Sequence, residues 1–85
     1  MGEGKDVMLI YKWHKIDGNL IFYHYYPDGN GATGVVSIDR FTGETEVVTP
    51  SKDDFGNRYA FKLMKLLQEF FTNNAYKEAG TIAWY

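Results

Sequence analysis

The sequence predicts an α+β domain: a four-stranded antiparallel β-meander over residues 7–49, one long amphipathic helix over 51–74, and a short C-terminal strand over 81–85. Three observations carry this expectation. Runs of β-branched and aromatic residues, separated by glycine-containing turns, fill the first half of the chain. After Pro50 the hydrophobic period changes from two residues to that of a helix. Finally, 85 residues are enough to enclose one core and no more, so a single domain is expected.

The first strand is expected over residues 7–15 (VMLIYKWHK) and the second over 20–26 (LIFYHYY). Asp17-Gly18 lies between them and tolerates the positive φ of a tight hairpin. A third run, 34–39 (GVVSID), and a fourth, 44–49 (ETEVVT), flank RFTG, where Gly43 suits a left-handed turn position. Ser51 and Asp54 are spaced like a capping box, with acids at the positive end of the helix dipole. At about 100° per residue, Phe55, Tyr59, Ala60, Leu63, Met64, Leu66, Leu67, Phe70 and Phe71 share an arc of roughly 180°. Asn57, Arg58, Lys62, Lys65, Gln68, Glu69 and Thr72 occupy the other side. Asn73-Asn74 can end the helix, and TIAWY at 81–85 reads as the last strand.

Composition narrows the function classes. A net charge of −2, with acids and bases interleaved, provides no basic footprint and argues against nucleic acid and anionic lipid as partners. The absence of cysteine excludes disulfides and thiolate metal sites. No apolar run reaches the 18 residues of a membrane span. The start MGEGKD lacks the features of a signal peptide, and Asp6 stands where myristoylation requires Ser or Thr. A cytoplasmic protein without membrane attachment is expected.

GNGATGVV, residues 29–36, satisfies G-x-G-x-x-G-x-V. A dinucleotide fingerprint needs a helix directly after its glycines, because the helix N-terminus neutralises the pyrophosphate. Here the strand-like VVSI follows. The kinase version also needs a lysine strand, a catalytic loop and metal-binding acids spread over a longer chain. An EF-hand alignment on Gly31 puts Tyr26 and Ser37 where Asp and a bidentate Glu belong. The segment is therefore expected to be a hairpin loop whose glycines supply turn conformations.

No catalytic constellation and no cofactor site emerge, and the chain reads as non-enzymatic. His14 and His24 lie on the first two strands, and the hairpin register decides whether they meet. A three-residue Ile16-Asp17-Gly18 loop puts them on one face but roughly 13 Å apart along the strands. A two-residue Asp17-Gly18 loop sends them to opposite faces; a symmetric Asp17-Gly18-Asn19 loop makes them diagonal neighbours. No third ligand accompanies them, so no metal is expected. Glu44 and Glu46 share one side of a strand, an arrangement more common on a solvated face than in acid–base chemistry.

The apolar residues are more informative. Val7, Leu9, Tyr11 and Trp13 share one side of the first strand, opposite Met8, Ile10, Lys12 and His14. In the second, Ile21, Tyr23 and Tyr25 oppose Leu20, Phe22, His24 and Tyr26. Neither side is cleanly polar, yet one helix covers one face only. A contiguous exposed apolar surface suggests a contact, most economically self-association into a homodimer, with another protein as the other partner. The candidate interface residues are Phe61, Met64, Phe71 and Trp84, beside the uncovered sheet face itself. Coverage by the tail, through Ala79, Ile82 and Trp84, is the competing expectation. The alternative function is a small-ligand site or modest enzyme in a cleft between sheet and helix, lined by Tyr11, Trp13, Tyr23 and Tyr25 with His14 or His24.

The segment GVVSIDRFTGETEVV, residues 34–48, with its D-x-x-T-G-E, resembles the strand–turn–strand of PepSY-type domains. The resemblance implies a small sheet beside a helix, in a family linked to peptidase regulation. It covers about fifteen of the 85 residues. The family's helix precedes this hairpin, whereas here it follows, and no function is carried over.

Overall fold

Burial alternates without a break along β2 (Leu20–Pro27), with Ile21, Tyr23, Tyr25 and Pro27 turned inward. Such a strand is held from both sides, and β2 is the centre of a five-stranded antiparallel sheet. The computed structural model describes residues 7–84, without the side chains of Val7 and Trp84. The other strands are β1 (Val7–Asp17), β3 (Gly34–Asp39), β4 (Thr45–Thr49) and β5 (Ala79–Trp84), in the order β4-β3-β2-β1-β5. The expected meander and C-terminal strand are both present. β5 joins the outer edge of β1, from Val7 opposite Trp84 to Lys12 opposite Ala79.

The one α-helix, α1 (Arg58–Asn73), lies across the sheet and buries Ala60, Leu63, Leu67 and Phe70 against Leu9, Tyr11, Ile21, Tyr23, Tyr25, Val36 and Ile38. Tyr11 meets Tyr23 edge-on with ring centroids 6.0 Å apart, and Tyr11 and Phe70 are 6.2 Å apart. Such aromatic pairs add to the area they bury. The shortest molecular dimension, 19 Å, is that of one sheet layer and one helix layer.

The helix starts later than the expected residue 51. Gly56 and Asn57 both have positive φ, 73° and 59°, which α-helix does not accommodate. Phe55–Asn57 forms only a 3₁₀ turn. Phe55, placed by periodicity in the apolar arc, is therefore off the helix and 86% exposed. Asp54 caps α1 from a distance, accepting from the backbone N–H groups of Tyr59 and Ala60, each at 2.9 Å. At the other end Asn74, with φ 54°, donates its N–H to Phe70 and Phe71 carbonyls.

The glycine loop is fully used by the fold. Gly29 has φ 84° and donates its N–H to the Tyr26 carbonyl; Gly31 donates to that of Pro27. Where a phosphate would have to approach, the Asp53 carboxylate accepts from Ala32 N–H at 2.6 Å. Ser51 Oγ donates to the Ala32 carbonyl, and Ser51 N–H donates to Tyr25 Oη at 3.0 Å. A β-carbon on Gly34 would stand 2.3 Å from the Tyr25 ring. The motif is thus a packing device joining the β2–β3 loop to the helix entrance.

Gly34→Ala is expected to destabilise the fold by about 1–3 kcal/mol through overpacking. Asp54→Ala is expected to cost about 1–2 kcal/mol by releasing two helix N–H groups. Urea unfolding followed by circular dichroism measures both.

Candidate interaction surface

Register decides which side chains share the face opposite α1. Across β1–β2 the pairs Ile10–Tyr26 and Lys12–His24 lie there; across β2–β3, Phe22–Ser37 and His24–Val35. Ser37 in turn stands opposite Glu46 on β4. On the β5 side, Ile10 faces Thr81 and Met8 faces Ala83. Met8, Ile10, Leu20, Phe22, Tyr26 and Val35 are all half-buried, and the turn at Gly29 stands against the Met8 and Ile10 side chains. No other element among the described residues lies over this face.

The tail does not seal this surface. β5 continues the sheet in its own plane, where its backbone bonds to β1, and among the described side chains of the tail Ile82 and Tyr76 pack on the core. Strand pairing satisfies the backbone of the segment, which a flap lying across the sheet would leave unpaired.

The two histidines meet on this open face through a feature that the hairpin alternatives did not include. The β1–β2 turn is two residues long, Gly18-Asn19, with Asp17 opposite Leu20 and Gly18 at φ 60°. Alone, that register would send His14 to the helix side. A bulge between Trp13 and Lys15 inserts His14 as an unmatched residue. Such an extra residue turns the side-chain alternation over by one position. The His14 and His24 rings consequently stack with centroids 4.1 Å apart, and the Tyr26 ring lies 6.4 Å beyond His24. His24 Nδ1 is buried with no hydrogen-bond partner among the described residues. Burial, then the proximity of His14 and Lys12, push the His24 pKa below its ordinary value. Lys15, past the bulge, reaches over the Phe22 ring at 5.2 Å.

The tyrosines proposed for a ligand cleft lie on the helix side, away from both histidines. Tyr23 and Tyr25 are completely buried and Tyr11 nearly so. The Tyr23 hydroxyl donates to the Lys77 carbonyl at 2.7 Å, and burial raises its pKa strongly. Trp13, 44% exposed, instead borders a groove of about 570 Å³ beyond the end of α1, together with Ile16, Phe41, Arg40, Tyr76 and Glu78. Periodicity could not single out Ile16 and Phe41, which stand at a strand end and in a turn.

The helix-flank candidates separate. Phe61 stands exposed among Arg58, Lys62 and Lys65. Met64 and Phe71 pack against the core, and the Phe71 ring closes over Gly43. Trp84 belongs to β5, but its side chain lies outside the described residues. Among the described residues there is no cluster of three or more metal-ligating side chains, and no helix is long and apolar enough to cross a membrane.

Compared with protein-family profiles, curated proteins and solved structures, the chain matches none. The D-x-x-T-G-E segment has a local physical basis. Asp39 Oδ1 accepts from the N–H groups of Phe41 and Thr42, and Gly43 at φ 82° closes the β3–β4 turn.

His24 is expected to titrate below the ordinary histidine value of about 6.5, and to move upward in His14→Ala, as NMR titration of the ring protons would record. Because its folded value is the lower one, its contribution to stability is complete above about pH 6.5 and declines as pH falls through the folded value. In His24→Gln that part of the slope in unfolding free energy against pH disappears.

Proposed function

We propose that this is a non-enzymatic interaction domain that self-associates through the open face of its sheet. The observation that carries the reading is the uncovered apolar patch formed by Met8, Ile10, Phe22, Tyr26 and Val35. Five strands about 4.8 Å apart present a face of roughly 500 Å² in projection, and more in accessible area once side chains corrugate it. That approaches the ~800 Å² per partner of a standard interface.

The charges on the face favour a second copy as the occupant. Lys12 and Lys15 lie on β1, and Glu46 lies on β4. A two-fold axis parallel to the strands, between β2 and β3, sets β4 of one copy over β1 of the other. Glu46 then faces Lys15 twice, once in each direction, while Phe22 meets Ser37 and Val35 meets His24 of the second sheet. Two sheets so packed form a sandwich about 10 Å deep between backbones.

The groove at Trp13 and Phe41 favours a second reading, a small-ligand site. The two are separable. Self-association predicts a light-scattering mass near twice 9.8 kDa, reduced to one chain by Phe22→Glu or Ile10→Glu with the circular dichroism spectrum retained, and unaffected by Phe61→Lys. A ligand site predicts that some member of a metabolite panel raises Tm, that Trp13→Ala abolishes the rise, and that Phe22→Glu does not. A single-chain mass at high concentration would exclude self-association.

A further inference from the structure

We infer that the His14–His24 pair makes this self-association pH-dependent, holding two copies together at neutral pH and releasing them in mildly acidic solution. The inference rests on the self-association reading above, and concerns how the same face is regulated.

The geometry supplies the reason. Two neutral imidazoles stack at 4.1 Å without repulsion, the half-buried His24 beneath the exposed His14, but two imidazolium rings at that separation repel. Among the described residues no acid stands opposite the pair in the strand register. From β1 the neighbours are Lys12, directly opposite His24, and Lys15 beyond the bulge; both are cationic. From β2 there is Tyr26, and from β3 the uncharged Val35 and Ser37. From β5, Ala79 stands opposite Lys12, and α1 lies on the other side of the sheet. The acids of the face are Glu46, two strands from His24, and Asp17 and Asp39 on either side of Leu20 at the hairpin end.

In the free domain a protonated pair still has water above it. In the paired sheets the same axis that joins Glu46 to Lys15 lays His24 on Val35 of the second copy, where water is excluded. Protonation is then disfavoured twice, by the neighbouring cations and by desolvation. Linkage requires the reciprocal effect: protons weaken association. The unpartnered Nδ1 of His24 fits the same picture, because a group poised to take up a proton lacks a bond that would fix its charge state.

The test is sedimentation equilibrium of the full chain at pH 7.5 and pH 5.0, with circular dichroism at both, for wild type, His14→Gln and the His14→Gln/His24→Gln double variant. If each protomer loses about one pH unit of proton affinity on pairing, the dimer Kd rises between the two conditions by several-fold per protomer, towards limits of about tenfold per protomer and about a hundredfold overall. In the double variant, whatever its absolute affinity, the ratio of the two Kd values is expected to fall to within about twofold. Three results would overturn the inference while leaving the self-association reading intact: a wild-type dimer equally tight at both pH values, a ratio unchanged in the double variant, or dissociation that coincides with unfolding. A wild type that is a single chain at pH 7.5 would remove the reading itself, and the inference with it.

Discussion

One buried junction fixes where the helix lies and, through that, which surfaces remain open. The Tyr25 hydroxyl, at the inner face of the central strand, accepts the N–H of Ser51. Three residues on, the buried Asp54 carboxylate takes the first free N–H groups of α1. Burial raises the Tyr25 pKa, with the backbone bond from Ser51 opposing it and Asp54 adding to it. The hydroxyl therefore stays protonated and available to this network. With its entrance tied to β2 and to the Ala32 loop, α1 packs over β2, β3 and β4, leaving the β1–β5 margin to Tyr76 and Ile82.

The rest of the architecture follows from a shortage of covering material. Among the described residues one helix occupies one face of five strands, and the segment 79–84 after it lengthens the sheet. Pairing at the edge satisfies backbone groups, and a chain with unpaired N–H and C=O groups across an apolar face would be costly. The sheet therefore gains a strand, and no described helix or strand lies over its second face. Isolated apolar residues on a surface need no explanation; Phe55 is of that kind. A row of them aligned by register, flanked by charges of opposite sign on opposite strands, is a different matter.

The bulge in β1 shows how a single residue changes the chemistry of a face. The two-residue Gly18-Asn19 turn and an unbroken ladder would have put His14 beside Tyr23, in the core layer. The inserted residue moves it beside His24 and Lys12, into a local excess of positive charge. There the His24 ring stacks on His14 beside Lys12, and burial together with these neighbours pushes the His24 pKa down.

The sequence alone determined the five strands, the one helix and the placement of Leu63, Leu67 and Phe70 in the core, because periodicity and turn chemistry are local properties written in neighbouring residues. It also determined that a strand, and not the helix of a dinucleotide fingerprint, follows GNGATG, since the residues after it are β-branched. Only the tertiary structure decided the helix start at Arg58, the exposure of Phe55 and the meeting of His14 with His24. Each depends on a backbone irregularity, two positive-φ residues in one case and one unpaired residue in the other, that no hydrophobic pattern encodes. It likewise decided that the tail extends an edge rather than closing a face. That choice is made by long-range hydrogen bonds between residues 7–12 and 79–84, which lie far apart in the chain and carry no mark of each other in its order.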